Sequence, residues 1–167
     1  ERVTATYVTL PYTFYVETPA TVTAGEPFFF LIVARDESNV TLTSWKGFVE
    51  LHAMNADGTG PATAELSDTT ALIASGGMVW KLQEKYNVSE PIRISASADG
   101  VTGYSQPMTV LPGPVDHVVI EPTVDELPEY ATRNFVATAH DIYENEAQPS
   151  AYTWSVESTL GSLNTTV

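Results

Sequence analysis

The chain contains no cysteine. That excludes disulfides, thiol nucleophiles and thiolate metal sites. Basic side chains are scarce, with seven Lys and Arg against 21 Asp and Glu and a formal net charge of −14. Such a balance excludes nucleic acid, whose phosphates need cationic partners, and it disfavours an anionic membrane surface. It suits cations, basic partners or plain colloidal solubility, and solubility is the simplest reading. Long apolar runs are also missing. Pro27 to Ala34 falls well short of the ~20 residues needed to span a bilayer, so no membrane insertion is expected. No Gly-x-Ser-x-Gly, His-Glu-x-x-His or phosphate loop occurs, and His52, His117 and His140 stand apart without a motif. The expectation is no catalytic residue and no enzyme. The chain carries no initiator Met or signal peptide, so it reads as a processed chain or a slice of a longer one.

What is present favours strands. Hydrophobic residues make up 43%, enough for a packed core, and eight Tyr and six Phe join abundant Thr and Val. No helical period is found. The cluster Leu111-Pro112-Gly113-Pro114 separates two strand-like stretches and reads as a hinge, because proline cannot donate to a ladder and glycine permits a sharp turn. Between Thr13 and Val110, short strands are expected at 14–17, 28–34, 48–53, 63–66, 70–74, 78–83, 91–98 and 101–110, with 21–27 as a connector. Asp99-Gly100 is a hairpin turn. The stretch 28–34 is apolar on both faces, so a cover over its second face is expected.

After the hinge the pattern restarts, with strands expected at 115–121, 133–141, 152–157 and 160–167. A shift of 105 places Phe30 on Phe135, Ala34 on Ala139 and Asp36 on Asp141. Phe14-Tyr15-Val16-Glu17 after Leu10-Pro11 is echoed by Val118-Val119-Ile120-Glu121 after Leu111-Pro112. The expected layout is an N-terminal strand (1–12), an immunoglobulin-like β-sandwich (13–111), a hinge (112–114) and a partial second module (115–167). The N-terminal strand is either the closing strand of a preceding module or a donor to another copy. A half-sandwich exposes apolar surface and strand edges, which invites completion by strand addition and hence a filament.

Val33-Ala34-Arg35-Asp36 with Asn39, and Thr138-Ala139-His140-Asp141 with Asn145, resemble the strand-turn signature of bacterial and archaeal Ig-like (Big-type, invasin-like) surface modules. Trp45 to Leu51, Ile94 to Gly103 and Met108 to Gly113 are similar to that family's following strand, final hairpin and linker. The resemblance spans roughly residues 13–157. It implies tandem all-β sandwiches acting as spacers, adhesins, surface-layer parts or accessory modules of secreted enzymes, without catalysis.

Asn39, Asn87 and Asn164 head Asn-x-Ser/Thr triplets and are the candidate glycosylation sites, which points to an extracellular or cell-surface glycoprotein. No metal is expected. Asp36, Asp141 and Glu144 are the residues that would serve calcium, and Asp116, Glu121, Asp125, Glu126 and Glu129 cluster near the hinge; the plainer reading is solvated acidic turns. Trp80 and Trp154 are expected in the core, while Trp45 is open between core and a sugar-stacking platform. Lys46, Lys81 and Lys85 are the lysines available for an isopeptide link to Asn or Asp. The expected role is mechanical: a structural module bound to other copies of itself or to neighbouring modules. Glycans are the alternative partners, through a carbohydrate-binding or spacer module of a secreted enzyme or adhesin.

Overall fold

A computed structural model of the chain describes residues 9–123, 128 and 131–156. These residues form twelve strands and no helix: β1 Thr13–Glu17, β2 Thr21–Thr23, β3 Phe28–Arg35, β4 Gly47–Asn55, β5 Thr70–Ile73, β6 Met78–Glu84, β7 Pro91–Ala98, β8 Val101–Tyr104, β9 Met108–Leu111, β10 His117–Glu121, β11 Val136–His140 and β12 Glu146–Ala147. The protein is all-β. It divides into two compact units, Glu1–Gly113 and Pro114–Val167.

The first unit is a two-layer sandwich. One sheet has the order β1-β3-β6 and is antiparallel throughout. The other has the order β2-β9-β7-β4-β5, with β8 also on β7 and β2 parallel to β9. Side chains alternate across a strand, so every second residue of β3 faces inward. Phe28, Phe30, Ile32 and Ala34 form that row and are buried, beside Phe14 and Val16 of β1. The opposing layer presents Val49, Leu51 and Ala53 of β4, Ile92, Ile94 and Ala96 of β7, and Met108 and Val110 of β9. Trp45 closes one end of this core, packed edge-on against Phe14 with ring centroids 5.3 Å apart, and its indole N–H donates to Asp99 Oδ2 at 3.3 Å.

Several expectations are corrected by where backbone groups find partners. The connector 21–27 contains β2, which is only three residues long and so shows no period of its own. It is held by the flanking bonds Thr109 N–H to Ala20 O and Ala24 N–H to Leu111 O. Residues 63–66 are not a strand, because side chains take their amides. Thr63 N–H donates to Glu90 Oε1 at 2.9 Å and Ala64 N–H to the Tyr86 hydroxyl oxygen at 3.1 Å. Burial, with Glu90 as hydrogen-bond acceptor, pushes the Tyr86 phenol up, so it stays a donor to that carboxylate. The stretch 101–110 is two strands, interrupted at Ser105, whose hydroxyl accepts from Ile94 N–H at 3.0 Å. Residues 152–156 carry no strand, and the expected strand at 160–167 lies outside the described residues. So do residues 1–8 of the N-terminal strand. The hairpin between β7 and β8 turns at Asp99 and Gly100, both at positive φ (53° and 79°).

The two layers meet at one edge where β8 passes β1. A Cβ placed on Gly103 would lie 1.7 Å from the Phe14 carbonyl oxygen. No side chain fits there without moving backbone. Gly103→Ala is therefore expected to destabilise the first unit by at least ~2 kcal/mol, the upper half of the usual overpacking range, measured by urea denaturation. An unchanged midpoint would show that β8 and β1 are not in this contact.

Candidate interaction surfaces

The repeat seen in the sequence recurs as hydrogen bonds. At the end of β3, Asp36 Oδ1 accepts the amides of Ser38 and Val40, each at 2.9 Å. At the end of β11, Asp141 Oδ1 accepts those of Tyr143 and Asn145, at 2.8 and 3.0 Å. The backbone bonds match too: Asp36 N–H to Val40 O with Asn39 N–H to Asp36 O, and Asp141 N–H to Asn145 O with Glu144 N–H to Asp141 O. Asn39 and Glu144 both sit at positive φ, 64° and 66°. Strand register follows. Phe14 pairs with Ala34 and Glu17 with Leu31; Val118 pairs with Ala139 and Glu121 with Val136. Tyr12 N–H donates to Arg35 O, and Asp116 N–H to His140 O, both at 2.8 Å. The bridge of Arg35 to Thr41 has its counterpart in β12, where His140 faces Glu146.

The likeness makes the difference in burial informative. In the first unit Phe14 and Val16 are 2% and 3% exposed; their register equivalents Val118 and Ile120 are 45% and 47% exposed. Among the described residues the second unit has the sheet β10-β11-β12 and no second sheet. Positions that are core in one unit are therefore surface in the other.

A second apolar surface lies on the outer side of β1-β3-β6. Leu31 pairs with Trp80, Val33 with Met78 and Tyr15 with Val33, which sets these side chains on one face. Trp80 and Phe29 are 53% and 57% exposed and meet edge to face, with centroids 5.9 Å apart. The Arg35 guanidinium lies 3.9 Å over the Tyr15 ring. The second face of β3 is thus open at Phe29, half-buried at Leu31 and closed only at Val33. This corrects the reading of Trp80 as core. The open question at Trp45 is answered by its burial, and Gly47 allows it: a Cβ there would meet the indole at 2.9 Å. Trp154 is half-buried. Lys81 takes the inward position beside Trp80, where Asp68 receives it, and that contact holds the Asp68 carboxyl below its usual range.

The remaining candidate residues are dispersed. Asn39 is exposed in the Asp36 turn, its Oδ1 accepting from Arg35 Nη1 at 2.9 Å; Asn87 is also exposed, and Asn164 lies outside the described residues. Asp36 and Asp141 spend carboxylate oxygens on their own turns, and Asp141 Oδ2 further accepts from Asn145 Nδ2 at 2.9 Å. Glu144 instead faces His117, 3.4 Å from Nε2. Asp125, Glu126 and Glu129 lie outside the described residues. Among the described residues no group of three or more His, Asp or Glu is arranged to hold a metal ion. His117 and His140 stack at 5.5 Å, a pairing set by the β10–β11 register that no motif announced. No helix among the described residues is long and apolar enough to cross a membrane.

No protein-family model matches the chain. No curated protein matches it. Among solved structures it is similar to FdeC, an adhesin of Escherichia coli, at 20% identity and a TM-score of 0.46; the likeness covers 82% of this chain and 43% of that one. The chain thus spans less than half the length of that protein.

The exposure difference has a direct test. Phe14→Ala is expected to cost the first unit about 3–5 kcal/mol, as for a buried aromatic. Val118→Ala should cost the second unit less than about 0.5 kcal/mol, as at a surface position. Denaturation followed by fluorescence gives both values, and equal losses would mean that Val118 is core.

Proposed function

We propose that the chain is a non-catalytic structural segment of an extracellular, cell-surface or filamentous assembly, built from immunoglobulin-like modules joined head to tail. The observation that carries this reading is the exposure of Val118 and Ile120 at positions whose equivalents Phe14 and Val16 are buried. Exposed apolar surface of that kind marks an association site. The first unit shows what covers such a row: strands presenting apolar side chains, among them Met108 and Val110 of β9. Tyr7-Val8-Thr9-Leu10-Pro11 matches Met108-Thr109-Val110-Leu111-Pro112 in its last Leu-Pro and its β-favouring character. Residues 1–10 of one copy serve as a strand donated to the second unit of the next. Donation of this sort is heterologous, so it propagates rather than closing into a ring. Sequons at the exposed Asn39 and Asn87 fit an extracellular glycoprotein.

The full chain is expected to associate with rising concentration in light scattering, and deletion of residues 1–10 to abolish this. Association that survives the deletion unchanged would rule out the donor.

A second reading, binding of a glycan, is favoured by the exposed Trp80 and Phe29 rings, since a flat aromatic face can stack on the apolar face of a sugar. On a glycan array, Trp80→Ala should then lose most of the signal while a distant surface control, Val40→Ala, keeps it. An array without signal for the parent chain would set this reading aside.

A further inference from the structure

We propose that the first unit forms an intramolecular isopeptide bond between Lys81 and Asp68, with Glu84 as the proton carrier. The chain has three lysines, Lys46, Lys81 and Lys85. Lys46 and Lys85 are exposed. Lys81 alone points inward, its side chain 13% exposed, with Nζ in direct contact with Asp68 Oδ2 and donating to Thr70 O at 2.8 Å. Beside the pair stands Glu84, whose side chain is fully buried and whose Oε2 lies 3.9 Å from Lys81 Nζ.

The two carboxylate oxygens of Glu84 are used differently. Oε1 accepts from the Ser67 hydroxyl at 2.5 Å, from Asp68 N–H at 3.0 Å and from Lys85 N–H at 3.3 Å. Oε2 has no hydrogen-bond partner. A buried oxygen left unpartnered is costly and calls for an explanation. Here it is the oxygen nearest the amine. The arrangement also depends on a backbone irregularity. Residues 81 and 84 are an odd number apart, so in a regular strand they would face opposite sides. The register slips between Phe28 and Phe30, opposite Gln83 at φ 61°, and this brings both side chains inward.

The chemistry balances without an added reagent. The ground state is the ammonium–carboxylate pair. One proton passes from Nζ to Asp68 along their existing hydrogen bond, leaving a neutral amine and a neutral carboxyl. Nζ attacks Asp68 Cγ, and the new C–N bond forms. Glu84 Oε2 takes the second proton from nitrogen and delivers it to the departing oxygen. The Cγ–O bond breaks, one water leaves, and Glu84 is regenerated. One positive and one negative charge disappear together, so the net charge is unchanged. The fold holds the reactants in contact, which replaces a bimolecular encounter. Asp68 precedes β5 in one layer and Lys81 lies on β6 in the other. The bond would join the two sheets covalently, and a mechanical module lacking cysteine has no disulfide to do this.

The test is the intact mass of the full chain, purified and denatured. The expected mass is one water below that of the sequence, with a branched peptide joining residues 68 and 81 and no tryptic cleavage after Lys81. Lys81→Arg keeps the charge but not the nucleophilic amine, and should restore the full mass. Glu84→Gln should do the same or slow the loss to a measurable time course. A parent chain at the full sequence mass after prolonged incubation overturns the proposal. So does a water loss that persists in Lys81→Arg, which would assign it to a succinimide at an aspartate instead.

Discussion

The structure depends on one buried row, Phe28, Phe30, Ile32 and Ala34 of β3, and on what lies against it. Strand alternation puts this row on one side, and burial of four apolar side chains in a strand of eight residues sets the strand's orientation and register. A slip by one residue would send Phe29 and Leu31 inward and expose Phe30 and Ile32. Everything else in the first unit is arranged to cover the row: β1 and β6 flank it, β4, β7 and β9 oppose it, and Trp45 closes one end. In the second unit the same strand persists as β11, with a smaller side chain at Ala137 where β3 has Ile32 and an alanine again at Ala139. There the flanking strand β10 is present, and no opposing sheet lies among the described residues. The contrast separates what a strand pair with a local turn can fix from what needs a second layer.

Much of the architecture was legible because it rests on local signals. Apolar, β-favouring runs bounded by turn signals located β1, β3 and β10, alternation located β4 and β7, and Asp99-Gly100 marked its hairpin. The equivalence of Asp36 with Asp141 could be read because an aspartate that accepts amides two and four residues ahead must keep its spacing. The β2 strand could not be read in this way. Three residues contain no period, and its partner β9 lies far along the chain.

Trp80 shows the other limit. In Met78-Val79-Trp80-Lys81-Leu82 one face carries Met78, Trp80 and Leu82 and the other Val79 and Lys81, and hydrophobicity alone turns the first face inward. The strand does the reverse, exposing Met78, Trp80 and Leu82. Lys81 is tolerated inside because Asp68 and Glu84 meet its charge, and the sequence pattern contains no record of such partners. Apolar exposure in the second unit was expected from its half length, whereas the residues that form each of the two candidate surfaces were not. The outer aromatic face follows from the phase of β6, and the exposed row of β10 from there being no covering layer among the described residues. Asn39 and Asn87, by contrast, were read at a turn or strand end, and both are exposed.

The aspartate turn ending β3 and β11 bears on the order in which such modules are built. Its bonds span two to four residues, so closing it costs little chain entropy, and the second unit carries it without an opposing sheet among the described residues. Pairing β3 with β6 joins Phe28 to Glu84, a separation more than ten times longer. Topologies of this kind fold slowly at the long-range step and fast at the local one. A chain of these repeats made from its N-terminus would thus have each register-setting corner in place before the strands that cover it have been synthesised.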